Sequence, residues 1–309
     1  MAADLVVLGV ASSAGAHHAG QESAPRALRE AGLVDRLRSA GLSVDDRGDV
    51  VSEVFAVDHA HPGRRNLPAV VRVARAVANL VAAVVGQGSI PLVIGGDCTI
   101  TVGVVAGLLR SRPQVGLFYF DGDADLAPPD TTTGGVLDAM GVAHLLGLAD
   151  TELARIADQH PMLDDERLVL FGFDESDPET FRPSVLDARP GLLRFADHQV
   201  RADPSGCAAS ALEALERTAV GVLLHFDVDA VDSGDLPLAN FPHYGTGVTL
   251  AQAGRALRVA SGADGLAAVV LTEVNPGHDP DGQLIRRYVS TVGDALAAGL
   301  VDRGARLRS

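Results

Sequence analysis

The residues best suited to chemistry are carboxylates, and they come in clusters. One cluster is DGDAD, with Asp121, Asp123 and Asp125; another is DVDAVD, with Asp227, Asp229 and Asp232. Asp97 and Cys98 sit together in GGDCT, and Glu273 opens EVNPGHDP. Carboxylates at i and i+2 of a chain leaving a strand can enter one crevice. Gathered there they repel one another and hold on to protons, a cost that a multivalent cation removes. Oxygen-rich sites favour hard ions such as Mn²⁺, Mg²⁺ or Ca²⁺. DGDAD opens like a calcium loop of the EF-hand type, but the sixth and twelfth positions, which need Gly and Glu, are Leu126 and Thr132. No G-x-S-x-G elbow, Walker loop or G-x-G-x-x-G after the first apolar run is present. Cys98 and Cys207 form no CxxC pair, which excludes a zinc ribbon and a dithiol redox site on spacing.

Each cluster follows a short apolar run. Strands are expected at Leu5–Val10, Ile90–Ile94, Val115–Phe120, Leu168–Phe173, Gly221–Phe226 and Leu266–Thr272, with weaker ones near Leu42 and Leu192. Most are continuously apolar, as strands buried on both faces are. Helical spacing recurs between them, at Pro68–Val85, Gly206–Thr218 and Leu284–Leu296. Alternating strands and helices predict an α/β fold: a single doubly wound parallel sheet of about eight strands with helices on both faces. No repeat or linker divides residues 1–309, so one domain is expected. Active sites of such sheets lie at the carboxyl ends of the strands. GGDCT, DGDAD, DVDAVD and EVNP all fall at such ends.

Composition sets the outer limits. The chain has 309 residues, 47% of them hydrophobic and 21% charged, enough for a large core. A net charge of −15 argues against nucleic acid or an anionic membrane as partner and suits metal ions or a cationic substrate. The first residues lack the basic segment and cleavage pattern of a signal peptide, and no uninterrupted apolar run is long enough for a membrane span. A cytoplasmic protein is the expectation.

The motifs resemble those of the ureohydrolase family of arginases, agmatinases and formiminoglutamases, over nearly the whole chain. GQESAPRALREAGL is similar to the family's G-x-E-x-A-P-x-x-L-R, and GGDCT stands where the family has GGDHS. DGDADL stands for D-A-H-x-D, HFDVDAVD for S-x-D-x-D-x-x-D, and LTEVNP for E-V-N-P. The resemblance implies a pair of Mn²⁺ ions, one held by Cys98, Asp121, Asp125 and Asp227, the other by Asp121, Asp123, Asp227 and Asp229. It further implies a bridging hydroxide that attacks a guanidinium or amidine carbon, with Asp125 as proton carrier. Glu273 would bind the guanidinium and Asp177 a substrate amine. The products would be urea, or a substituted urea, and an amine. A trimer or hexamer is also implied.

The chain departs from the family at the metal and around it. Cys98 and Asp123 each stand in place of a histidine, so all six implied ligands can be anionic. Ala127 and Gly134 replace polar contacts to the α-carboxylate of arginine, and Asp138 replaces a proton-shuttling histidine. LANFPHYGTG replaces the family's T-G-T loop, making Asn240 and His243 candidate substrate-binding residues. The expected substrate is a small cationic guanidino or amidino compound, with L-arginine itself a doubtful one. The alternative is a degenerate arginase fold with weak or single metal binding, serving as a binding or scaffold protein.

Overall fold

A computed structural model describes residues 4–131, 134–176 and 182–308 (the side chain of residue 130 aside). Among them, eight strands form one sheet, every neighbouring pair parallel. The strands are β1 (Leu5–Ser12), β2 (Val44–Glu53), β3 (Ile90–Ile94), β4 (Val115–Phe120), β5 (Leu168–Phe171), β6 (Leu193–Phe195), β7 (Gly221–Asp227) and β8 (Leu266–Thr272). Their spatial order is β2-β1-β3-β8-β7-β4-β5-β6.

Helices cover both faces. On one, Ala24–Glu30, Leu33–Ser39, Pro204–Leu215, Leu250–Ser261 and Gln283–Arg308 pack over Phe118, Phe120, Phe171 and Phe226. On the other, Leu67–Gly86 and Ile100–Leu109 pack over Val6, Leu8, Leu117 and Tyr119. Consecutive residues of β4 thus serve opposite cores, which is why its sequence is apolar throughout. The expected doubly wound sheet is therefore the one found.

The weak strand expected near Leu42 begins at Val44 and runs to Glu53. It lies at the sheet edge with alternating exposure, so its sequence, VDDRGDVVSE, is half charged. Leu67–Gly86 is long and apolar enough, by length and composition, to cross a bilayer. Arg72 and Arg75 break up this stretch in the sequence. Here Val70, Val73, Val77, Val81 and Val84 of that helix are buried in the core.

The strand order explains how distant motifs meet. The four adjacent strands β3, β8, β7 and β4 carry GGDC, EVNP, DVD and DGD at their carboxyl ends. Their register aligns the exits: Ile94 pairs with Leu271, Asp227 with Thr272, and Phe120 with Phe226. The chain then leaves all four strands at one level, and the acidic residues face one another.

Candidate metal centre

The turn after β3 is built from glycine. Gly95 and Gly96 have φ of 93° and 81°. A Cβ on Gly95 would lie 2.3 Å from the Pro25 ring, and one on Gly96 would lie 2.9 Å from the Val10 carbonyl oxygen. Only glycine suits both the backbone and the space. The next residue, Asp97, is a pin: its carboxylate accepts from the backbone N–H groups of Gly15 and Thr99 and from the Ser12 and Thr99 hydroxyls. This tight turn delivers Cys98 to the mouth of the sheet, where the Cys98 N–H donates to Asp138 Oδ1 at 2.7 Å and to Glu273 Oε1 at 3.0 Å.

Around Cys98 lie Asp121, His225 and Asp227, all buried, with one donor atom from each within 4.8 Å of the others. The Cys98 thiol donates to Asp227 Oδ2 at 2.5 Å and lies 3.7 Å from both Asp121 Oδ2 and His225 Nε2. His225 Nε2 is 3.4 Å from Asp121 Oδ2, and its Nδ1 is 2.8 Å from the Thr101 hydroxyl. Its ring stacks on Tyr119 with centroids 4.2 Å apart. A second group joins Asp123, Asp229 and His243, and a third joins Cys98, Asp138 and Glu273. Backbone bonds hold the first two groups against each other. The Asp123 N–H donates to Asp121, the Asp229 N–H to Asp227, and the Gly122 N–H to Asp229.

Burial and mutual repulsion raise the proton affinity of Asp121, Asp125, Asp227 and Asp229. Burial, then the charge of Asp123, pushes Asp121 up to about 7. Burial and Asp121 push Asp229 up to about 8. Burial and Asp229 push Asp227 well above the carboxylate range, and burial with Asp121 does the same to Asp125. Burial and Asp227 raise the Cys98 thiol. His225 is lowered to about 3 by burial and is neutral. Burial also opposes charge on His243, but the Asp123 carboxylate 3.6 Å from its Nε2 and the charge of Asp229 outweigh this and raise it to about 9.

The donor set fits a divalent metal. Oxygen, nitrogen and one sulfur converge in a buried pocket, and Asp123 Oδ1 and His243 Nε2, both buried, have no hydrogen-bond partner. Orphaned polar atoms in one acidic cluster are what ligand atoms look like without their ion. A cavity of about 270 Å³ opens onto these residues. Cys98, Asp121, Asp123, Asp125, Asp138, Asp227, Asp229 and Glu273 line its acidic floor; Ala127, Gly134, Val136, Ala139 and Phe241 line an apolar flank; His17 and Arg182 complete it. Among the described residues, four that are not glycine have positive φ, and three of them, Asp125, Arg182 and Glu273, line this cavity. Such costly backbone persists where the surroundings enforce it, commonly at functional sites.

The residues singled out in the sequence fall into distinct places. Cys98, Asp121 and Asp227 come together in one group, and Asp123 and Asp229 in the other. Asp125 lines the cavity outside both groups, its Oδ2 accepting from the Tyr119 hydroxyl at 2.5 Å. Glu273 is buried and already engaged, with Oε2 accepting from Gln21 Nε2 at 2.7 Å. Asn240 turns to Asn275, whose Nδ2 donates to it at 2.6 Å, and is absent from the cavity lining. His243 meets the metal cluster instead of open solvent, with Nε2 3.6 Å from Asp123 Oδ2. Asp177 lies outside the described residues.

Sequence reasoning passed over His225, Tyr119 and Gln21. The signal for His225 was available: it precedes Asp227 by two residues in a strand, so both share a face. Inside an apolar run it reads as a core residue. Tyr119 carried the same signal, two residues before Asp121, and was likewise read as core; Gln21 gave none, because its partner Glu273 lies on another element.

The chain matches a family model described as the Arginase family over residues 3–298. It is 29% identical over 303 residues to an arginase of Brevibacillus brevis, covering 95% of this chain and 99% of the relative. The solved arginase of Bacillus caldovelox superposes with a TM-score of 0.85 at 26% identity, over 95% of this chain and 98% of that one. An arginase structure from Bacillus subtilis gives a TM-score of 0.81 at 25% identity, over 94% and 98% of the two chains.

Proposed function

The chain belongs to the arginase family, with hydrolase chemistry of the ureohydrolase type, and from that premise we propose that it cleaves a C–N bond of a small guanidino or amidino compound at a pair of divalent metal ions, manganese in the first instance. Carrying this reading is the convergence of buried carboxylates from adjacent strand ends, with Asp123 Oδ1 and His243 Nε2 left without hydrogen-bond partners among them.

Asp121 and Asp227 would touch both ions, because each belongs to the Cys98 group and is tied through a backbone bond to Asp123 or Asp229. When bound, the ions would supply Lewis acidity and a water nucleophile active at neutral pH. The remaining work falls to the chain's own groups. Glu273 accepts the N–H bonds of the guanidinium, a planar cation suited to a carboxylate. Its charge and position are set by Asp138, Gln21 and the Cys98 N–H. Asp125, held through Oδ2 by Tyr119, takes the proton released by the attacking water and passes it to the leaving amine. Water adds to the guanidinium or amidinium carbon and the C–N bond breaks, giving the amine with urea or a substituted urea from a guanidino compound, or with an amide from an amidine.

The cavity flank favours a substrate without the α-carboxylate of L-arginine. Ala127, Val136, Ala139 and Phe241 offer apolar surface there, and a carboxylate seated on that flank, away from Arg182 and His17, is unpaired and costs binding. The test is a panel of guanidino and amidino compounds offered to manganese-loaded protein, with urea and amine both measured. Equal release of the two from at least one compound is expected, with L-arginine a poor substrate. Metal-replete protein that releases neither from any compound would instead indicate a binding protein.

A further inference from the structure

Two imidazoles, His225 and His243, reach the acidic centre from positions that the metal-ligand motifs do not mark. Each stands beside a residue that displaces a histidine in the motifs: His225 beside Cys98, His243 beside Asp123. We propose that the centre is chemically asymmetric: Cys98, Asp121, His225 and Asp227 form a tetrahedral pocket for a thiophilic ion of the zinc or cobalt kind, while His243 gives its nitrogen to a harder pocket with Asp123 and Asp229. The inference rests on the metal-dependent reading above and refines which ion each half takes.

The donor spacing supports the first pocket. Bonds of about 2.0–2.3 Å to nitrogen, oxygen and sulfur place neighbouring donors of a tetrahedron about 3.3–3.8 Å apart. The Cys98–Asp121 and Cys98–His225 separations are both 3.7 Å, and the His225–Asp121 separation is 3.4 Å. The closer Cys98–Asp227 contact, at 2.5 Å, is the thiol's own hydrogen bond. Metal binding removes that proton to solvent and replaces the hydrogen bond with two metal bonds, one from sulfur and one from oxygen. His225 is prepared as a donor. Thr101 engages Nδ1 at 2.8 Å, Tyr119 fixes the ring plane, and Nε2 is left toward Asp121 and Cys98. A partner on the far nitrogen is how ligating histidines are commonly oriented. A set of one sulfur, one nitrogen and two oxygens in this shape suits borderline ions better than manganese, which prefers oxygen and six-fold coordination.

The second pocket has the orphaned atoms. His243 is 8% exposed, and its Nε2 has no hydrogen-bond partner, as is also true of Asp123 Oδ1. A nitrogen this deeply buried is satisfied by an ion between it and the two carboxylates. Charge balance agrees. Once the ion displaces the His243 proton to solvent, one thiolate and four carboxylates, joined by two neutral imidazoles, face two divalent ions with one negative charge in excess.

Metal-free full-length protein titrated with Co²⁺ reads out the first pocket directly. The proposal predicts intense visible bands of tetrahedral cobalt and a near-ultraviolet thiolate-to-cobalt charge-transfer band, complete at the first equivalent. Cys98→Ser should abolish the charge-transfer band. His225→Gln should weaken first-equivalent binding by about tenfold or more, and His243→Gln should weaken only the second equivalent. The wild-type spectrum decides the matter even where a variant does not fold. Two equivalents bound with weak six-coordinate bands and no sulfur band would overturn the asymmetry while leaving metal-dependent urea release standing. Protein that binds neither cobalt nor manganese would remove both.

Discussion

Glu273 is the residue on which substrate recognition turns. Its carboxylate is buried beside Asp138, and burial, then Asp138, pushes its proton affinity well above the ordinary carboxylate range. Two carboxyl groups this close do not both ionise at neutral pH, so an arriving guanidinium supplies the charge that lets both do so. Glu273→Gln keeps the shape and removes the charge. It should leave metal content intact and lower kcat on any guanidino substrate on the order of a hundredfold, because the reactant loses its orientation. A stable, metal-replete and fully active Glu273→Gln protein would rule out this contact. At this scale the sequence was half legible. The carboxylates at strand exits declared themselves through their i, i+2 spacing. His225 and Tyr119 did not, since a polar group satisfied inside an apolar strand looks like core until its neighbours are known. His243 was marked as a substrate-binding candidate and not as a partner of the metal cluster, because nothing local shows that its loop folds back over Asp123 and Asp229.

The elements that matter most are the four central strands and the turns that leave them. β3, β4, β7 and β8 were readable because each is buried on both faces and so carries an uninterrupted apolar run. β2 was displaced from its expected place because an edge strand has one wet face, and its charged alternation resembles a loop. The turn after β3 offers a sharper test. Gly95 has φ of 93° and no room for a Cβ beside Pro25. Gly95→Ala should cost about 1–3 kcal/mol, seen as a fall in Tm on the order of a few degrees. Because Cys98 hangs from this turn, metal affinity should fall with it. An alanine variant that melts like the parent would show that the turn tolerates a side chain and that its glycines do not fix the position of Cys98.

For the molecule as a whole, the acidic centre makes metal and pH two views of one balance. Asp229, raised to about 8, and His243, raised to about 9, both hold protons more tightly folded than unfolded. Their stabilisation is present at low pH and is lost as pH rises through those values. Above about 6.5 the buried, neutral His225 and His144 contribute no opposing change, because their depressed values of about 3 and about 4 matter only at lower pH. Metal-free protein should therefore lose thermal stability between about pH 6.5 and about pH 9. Saturating Mn²⁺ should restore most where most was lost, since metal displaces the protons. A metal-free Tm that is flat or rising across that window would contradict this. The fold was legible at this scale because the alternation of apolar strands and helical stretches specifies a doubly wound sheet. Which strands become neighbours depends on long-range pairing, and here that pairing brings β7 and β8 between β3 and β4. The central claim is that the exits of these strands build one centre for a pair of ions, joined through Asp121 and Asp227. Elemental analysis of purified, metal-saturated protein and of its Asp121→Ala and Asp227→Ala variants tests it most directly. About two ions per chain are predicted for the parent and the loss of both together in either variant; a full metal load in either variant, or a parent that binds none, would contradict it.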